Sequence, residues 1–198
     1  MANNSCDFLL AQNIAPDCDN PQVGGIENEA IIMNRADIDF SALVKDANNS
    51  AIVKTLALKS GKQAYIVLQM GATPFSGTQT AFTAGTYRNK NTKDVQILVP
   101  DHSPDVCKNV IDNIANGVFV VIVKNKYKGA DGKGKYEIYG LEGGLRQVEG
   151  TRDPNSTDTD GGWLVKLQEV APSSGIFLWN TDETTTDAAY EALKTASA

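Results

Sequence analysis

Residues 129–135, Gly129-Ala-Asp-Gly-Lys-Gly134-Lys135, carry the first seven positions of a phosphate-binding loop, in which backbone N–H groups and the lysine cradle phosphates. The eighth position is Tyr136 instead of Ser or Thr, so no hydroxyl is present for magnesium. The residues after it have strand character, where phosphate binding needs a helix N-terminus. The stretch therefore reads as the tip of a β-hairpin. Asp153, Asn155, Asp158 and Asp160 offer oxygens to calcium, which takes about six to eight such ligands. Their spacing departs from the calcium-loop pattern and no Glu closes it, which leaves a solvated polar turn. His102 is the only histidine, so the chain has at most one imidazole base and no histidine metal cluster. Ser103 beside it is explained as a helix cap, no nucleophile elbow surrounds any serine, and Cys107 falls on an apolar helix face. Trp163, Trp179, Tyr127, Tyr136 and Tyr139 could form a platform for sugars or bases, but their places within strands point to core packing. The expectation is a protein that is not an enzyme, with no catalytic residue, no cofactor and no metal.

The elements that position these residues are clearest from 103 to 145. Ser103 suits an N-cap, Pro104 suits the first helical position, and Asp105 sits where the helix dipole favours negative charge. Val106, Val110 and Ile114, with Cys107 and Ile111 beside them, predict one buried stripe on a helix at about 104–116. Gly117 is expected to stop it as a left-handed C-terminal residue. Val118–Val123 is an unbroken apolar run that predicts a strand buried on both faces. The loop Lys128–Gly134 turns it back into a second strand, Lys135–Leu141. Because a lone hairpin is marginal in water, more sheet must pack against it.

The rest of the chain predicts mainly β structure. Residues 1–25, rich in Asn, Asp and Pro and ending in Gly24-Gly25, read as an extended arm, and 26–198 as one domain. A strand is expected at Glu29–Arg35, and a hairpin from Ile52–Lys59 and Lys62–Met70 across Ser60-Gly61. Residues 71–94 are Gly, Thr, Ser and Asn with only Phe75, Phe82 and Tyr87 as large apolar side chains. They read as a long loop, of the kind that is functional or disordered, with the three aromatics docking onto a surface. Further strands are expected at Val95–Val99, Leu145–Thr151, Trp163–Gln168 and Ile176–Trp179. Thr184–Ala196 reads as a short, Thr-rich C-terminal helix that frays. The fold class is a β-sandwich or small barrel with one flanking helix.

Composition narrows the function classes. The chain of 198 residues is 41% hydrophobic, enough for one core plus an arm. Its 18 Lys and Arg against 24 Asp and Glu give a net charge of −6, so there is no basic footprint for gripping nucleic acid. Three cysteines, Cys6, Cys18 and Cys107, favour reduced thiols, although Cys6 and Cys18 could bridge within the arm. No secretory signal and no membrane-spanning run is read in the sequence, so the expectation is a soluble protein that works in the cytosol or leaves by a route needing no signal, such as lysis or packaging into a particle.

Several stretches together carry a resemblance: Cys18-Asp-Asn-Pro21, Asn34-Arg35-Ala-Asp-Ile-Asp39, Leu56-Ala-Leu-Lys-Ser-Gly-Lys62, Ile114-Ala-Asn-Gly-Val-Phe-Val-Val121, Tyr139-Gly-Leu-Glu-Gly-Gly-Leu145 and Gly161-Gly-Trp-Leu164. The chain resembles small virion structural proteins of tailed phages and prophages of Bacteroidetes, and its architecture is similar to that of tail-tube proteins. The resemblance implies a homo-oligomeric ring, a hexamer being the expected size, stacked head to tail in the virion tail. DNA would pass through an acidic lumen without specific binding, and other tail or connector proteins would be partners. Phe75, Phe82 and Tyr87 in the loop, and Lys128, Lys133 and Lys135 at the hairpin tip, are the candidate contacts between subunits. Two alternatives stay open: a ring, connector or capsid-decorating protein, and a soluble β-sandwich that binds a carbohydrate or peptide.

Overall fold

Continuous apolar runs dominate the strands of one large sheet because both of its faces are covered. In the computed structural model, which describes residues 10–15, 18 and 21–196, β1 (Ile26–Asn34) sends Ala30 and Ile32 into one buried cluster and Ile31 and Met33 into another. β7 (Phe119–Asn125) divides the same way, with Val121 and Val123 on one side and Val120 and Ile122 on the other. Side chains alternate across a strand, so an unbroken apolar run fills two cores at once.

The large sheet holds seven strands in the order β2 (Val44–Lys45), β3 (Ile52–Thr55), β11 (Phe177–Leu178), β8 (Tyr136–Tyr139), β7, β1 and β4 (Tyr65–Leu68). The second sheet holds four, in the order β5 (Gln79–Thr83), β6 (Lys90–Val99), β10 (Trp163–Ala171) and β9 (Arg146–Arg152). Val95, Ile97, Val165 and Leu167 of the smaller sheet share a cluster with Ala30, Val121 and Val123 of the larger, which makes a β-sandwich. Helix α1, at 104–116, contributes Ile111 and Ile114 to that cluster. On the far face of the large sheet lies α2 (Glu183–Ala192), whose Tyr190 is completely buried there with Leu193 just beyond it.

The cap of α1 follows the sequence, since Ser103 Oγ accepts from the Val106 N–H at 3.4 Å. Its middle turn, Cys107–Ile111, widens to a π-helix. The turn after it differs from expectation: Gly117 has φ −90° and ψ 178°, an extended conformation open to any residue. Glycine fits there for space, because an added Cβ would overlap the Phe119 ring and the Asn113 carbonyl oxygen.

Two further expectations are corrected. Ile52–Lys59 and Lys62–Met70 do not form a hairpin: β3 pairs with β2 and, in parallel, with β11, while β4 pairs with β1. Gly61 does turn the chain, with φ +72°, but the turn delivers the two strands to different parts of the sheet. Residues 71–94 are not a long loop either. They contain β5 and the first half of β6, paired from Gln79↔Asp94 to Thr83↔Lys90 in an exposed hairpin.

Candidate functional site

The residues singled out for chemistry are held in local structure. Lys135 Nζ lies 2.6 Å from Asp187 Oδ1 and 2.9 Å from Glu183 Oε1, and Lys128 Nζ lies 2.6 Å from the same Glu183 oxygen. These two hydrogen-bonding lysines hold the Glu183 carboxyl down at about 2. The hairpin tip thus fastens the N-terminal half of α2 to the sheet, and Tyr136 Oη completes the join by donating to Asp187 at 2.8 Å. Lys128 and Lys135, expected as contacts between subunits, thus meet their acidic partners on the same chain. Lys133 pairs with Asp131 within the tip at 3.3 Å. The 153–161 stretch is a turn closed on itself: Asp153 Oδ1 accepts from the Asn155 N–H at 2.9 Å and Arg152 Nε donates to the Gly161 carbonyl at 3.0 Å.

Tyr136 and Tyr139 are buried, and the Tyr136 ring stacks on Tyr190 with centroids 4.6 Å apart. Burial first, then the Asp187 carboxylate, raises the Tyr136 phenol above its ordinary range. Trp163 is half-buried against the inter-sheet cluster and Trp179 is half-buried after β11. Cys18 is an exposed free thiol; Cys6 lies outside the described residues. Among the described residues no helix is long and apolar enough to cross a membrane.

The three aromatics of 71–94 separate. Phe75 is corrected as a surface contact, because its side chain is buried between the sheets and its N–H donates to Gln69 Oε1 at 2.8 Å. Phe82 and Tyr87, in contrast, stand on the projecting β5–β6 hairpin, 69% and 101% exposed.

Sequence reasoning missed two features. The first is a buried ionic cluster pinning the 139–145 turn. Glu169 accepts from the N–H groups of Gly140 at 2.7 Å and Gly143 at 3.0 Å, and faces Lys93 Nζ at 3.7 Å. Lys93 donates to Ser173 Oγ at 2.9 Å, and Ser173 donates in turn to Glu142 at 2.5 Å. Gly140 and Gly144 in this turn have φ +87° and +82°, which explains two of the three glycines of Tyr139–Leu145. Lys93 falls in a polar stretch whose pattern gave no sign of burial.

The second is the free edge of the large sheet. β4 is an edge strand, and Tyr65, Ile66 and Leu68 on it are exposed, as is Met70 just beyond. Other edges are defended: β2 is two residues long, β5 is mostly Gln and Thr, and β9 carries Arg146, Glu149 and Arg152. Beside β4 runs a groove of about 1000 Å³, walled by Ile97 and Val99 of β6, Val110 and Ile114 of α1, and Phe119. None of the described residues lining it carries a charge.

No family model matches the chain, and neither does any curated protein or solved structure.

Proposed function

We propose that this protein is a virion structural subunit of a tailed bacteriophage, most specifically a tail-tube subunit that assembles into stacked rings around a DNA-conducting channel. The observation that carries the reading is β4, an apolar sheet edge left uncovered by the described residues. Exposed edge strands of this kind template pairing with another chain, and soluble proteins normally blunt them with charge, proline or brevity. A repeated edge contact that closes on itself generates a ring. In this reading the exposed Phe82 and Tyr87 on the β5–β6 hairpin would touch the next ring, and Lys133 at the β7–β8 tip would be a further contact. The net charge of −6 suits a channel through which DNA slides without sticking.

Negative-stain images of the purified protein test this reading. Rings or tubes of constant diameter are expected. Scattered single particles at all concentrations would overturn it.

The groove beside β4 favours a second reading, a soluble β-sandwich that binds an apolar ligand or peptide, since its volume lies at the upper end of the range for ligand pockets. Such a protein would stay monomeric and melt at a higher temperature with ligand bound.

A further inference from the structure

We infer that the β4 edge and its groove receive the N-terminal segment of a second copy of this chain, added as a strand beside Tyr65–Leu68. The inference rests on the self-assembly reading and names the donor and acceptor within it.

Chemistry selects the donor. Among the described residues the groove lining holds no charged side chain. From Phe8 to Pro16 the chain likewise has no ionisable side chain, with Asp7 and Asp17 marking its limits. Phe8, Leu9, Leu10, Ala11 and Ile14 make this an apolar segment in an arm otherwise rich in Asn and Asp. Extended, it would place Phe8, Leu10 and Ile14 on one face and Leu9 and Ala11 on the other. β4 likewise offers apolar side chains on both faces, Tyr65 and Val67 alternating with Ile66 and Leu68. An added strand would satisfy the edge backbone groups and cover both sets of side chains, as in other β-strand additions.

Geometry places the donor on another molecule. Leu10 and Ile14 are 82% and 91% exposed, so the described part of the segment is not seated on its own body. From Gly25, the last arm residue before β1, back to Leu10 the chain can span about 50 Å when extended. That reach is long enough to pass from one subunit to a neighbour, and each copy both gives an arm and accepts one.

Three full-length proteins test the inference: the natural chain, a donor variant (Leu10→Asp with Ile14→Asp), and an acceptor variant (Leu68→Lys). All altered side chains are exposed, so the fold should be retained, and circular dichroism of each variant checks this. Light scattering across a concentration series is expected to show the natural chain assembling. Each variant should need about tenfold or more higher concentration, because each buries an unpaired charge at the contact. Mixing the two variants should give a species of twice the 21.2 kDa chain mass, since only one arm and one acceptor in each pair remain intact. A labelled synthetic peptide of residues 6–16 should bind the donor variant and fail to bind the acceptor variant. If the natural chain forms rings and both variants form them equally well, the inference is overturned while the ring reading stands. If the natural chain is monomeric throughout, both are overturned. A peptide that binds both variants equally would also overturn the inference.

Discussion

Replacing Tyr190 by Ala tests whether α2 is an integral part of the sandwich. The side chain is completely buried, stacks on Tyr136 with centroids 4.6 Å apart, and lies under the ammonium groups of Lys124 and Lys194 at 4.6 and 4.8 Å. Truncating a buried aromatic residue to Ala costs about 3–5 kcal/mol through lost transfer energy and the cavity left behind. In a chain of this length each kcal/mol lowers Tm by about 2–4 °C, so a fall of about 6–20 °C is expected by calorimetry. Tyr190→Phe keeps the ring and loses only a long hydrogen bond, 3.4 Å to Glu29, so its cost should stay below about 1 kcal/mol. A fall under about 2 °C for Tyr190→Ala would refute the docking of α2 and leave the outer core cluster without its cover.

Acid should loosen the same helix. Hydrogen bonds from Lys128 and Lys135 hold the Glu183 carboxyl near 2, and those from Thr185 lower Asp182 at the helix N-cap. For Glu29, burial pushes the carboxyl up, but Lys124 and Lys194 outweigh it and the net direction is down. Carboxyls depressed on folding stabilise fully above their unfolded values and lose that contribution as pH falls through the folded ones. Tm should therefore be level from neutral pH to about 5 and decline from there toward about 2; a Tm that rises on acidification would contradict these ion pairs. Lys93→Met should cost about 3 kcal/mol or more in urea denaturation, because Glu169 would keep a buried charge without its cation, and Glu169→Gln in the same chain should recover part of it. Phe82→Ser with Tyr87→Ser should leave the monomer's Tm within about 2 °C, both side chains being exposed, yet shorten or abolish tubes in electron micrographs.

What could be read from the sequence was what is decided locally or by one dominant period. The Ser103-Pro104 start of α1 depends on residues a turn apart, and the double burial of β7 is encoded by its uninterrupted apolar run. The C-terminal helix was also legible, but its stability was not, since the anchoring partners of Glu183 and Asp187 lie some fifty residues earlier, on Lys128, Lys135 and Tyr136. β5 and the start of β6 were hidden by composition: their strand pairing rests on backbone bonds and polar side chains. Asp94, buried in that ladder, accepts from Gln79 at 3.1 Å and Gln168 at 2.7 Å. A polar residue with such partners is indistinguishable in sequence from one in a loop. The partner choice of β3 and β4 was hidden for another reason, because Ser60-Gly61 specifies a change of direction and the competing strands, β1 and β11, lie far off in the chain. Of the six proposed contact residues, Phe82 and Tyr87 are exposed on the β5–β6 hairpin, Lys133 stands at the β7–β8 tip, and Phe75, Lys128 and Lys135 serve the subunit's own fold.

Self-assembly can be read from mass in solution, measured by light scattering over a wide concentration range. Ring formation predicts a plateau at a whole-number multiple of 21.2 kDa, with larger species as rings stack. A mass of 21.2 kDa at every concentration would contradict it.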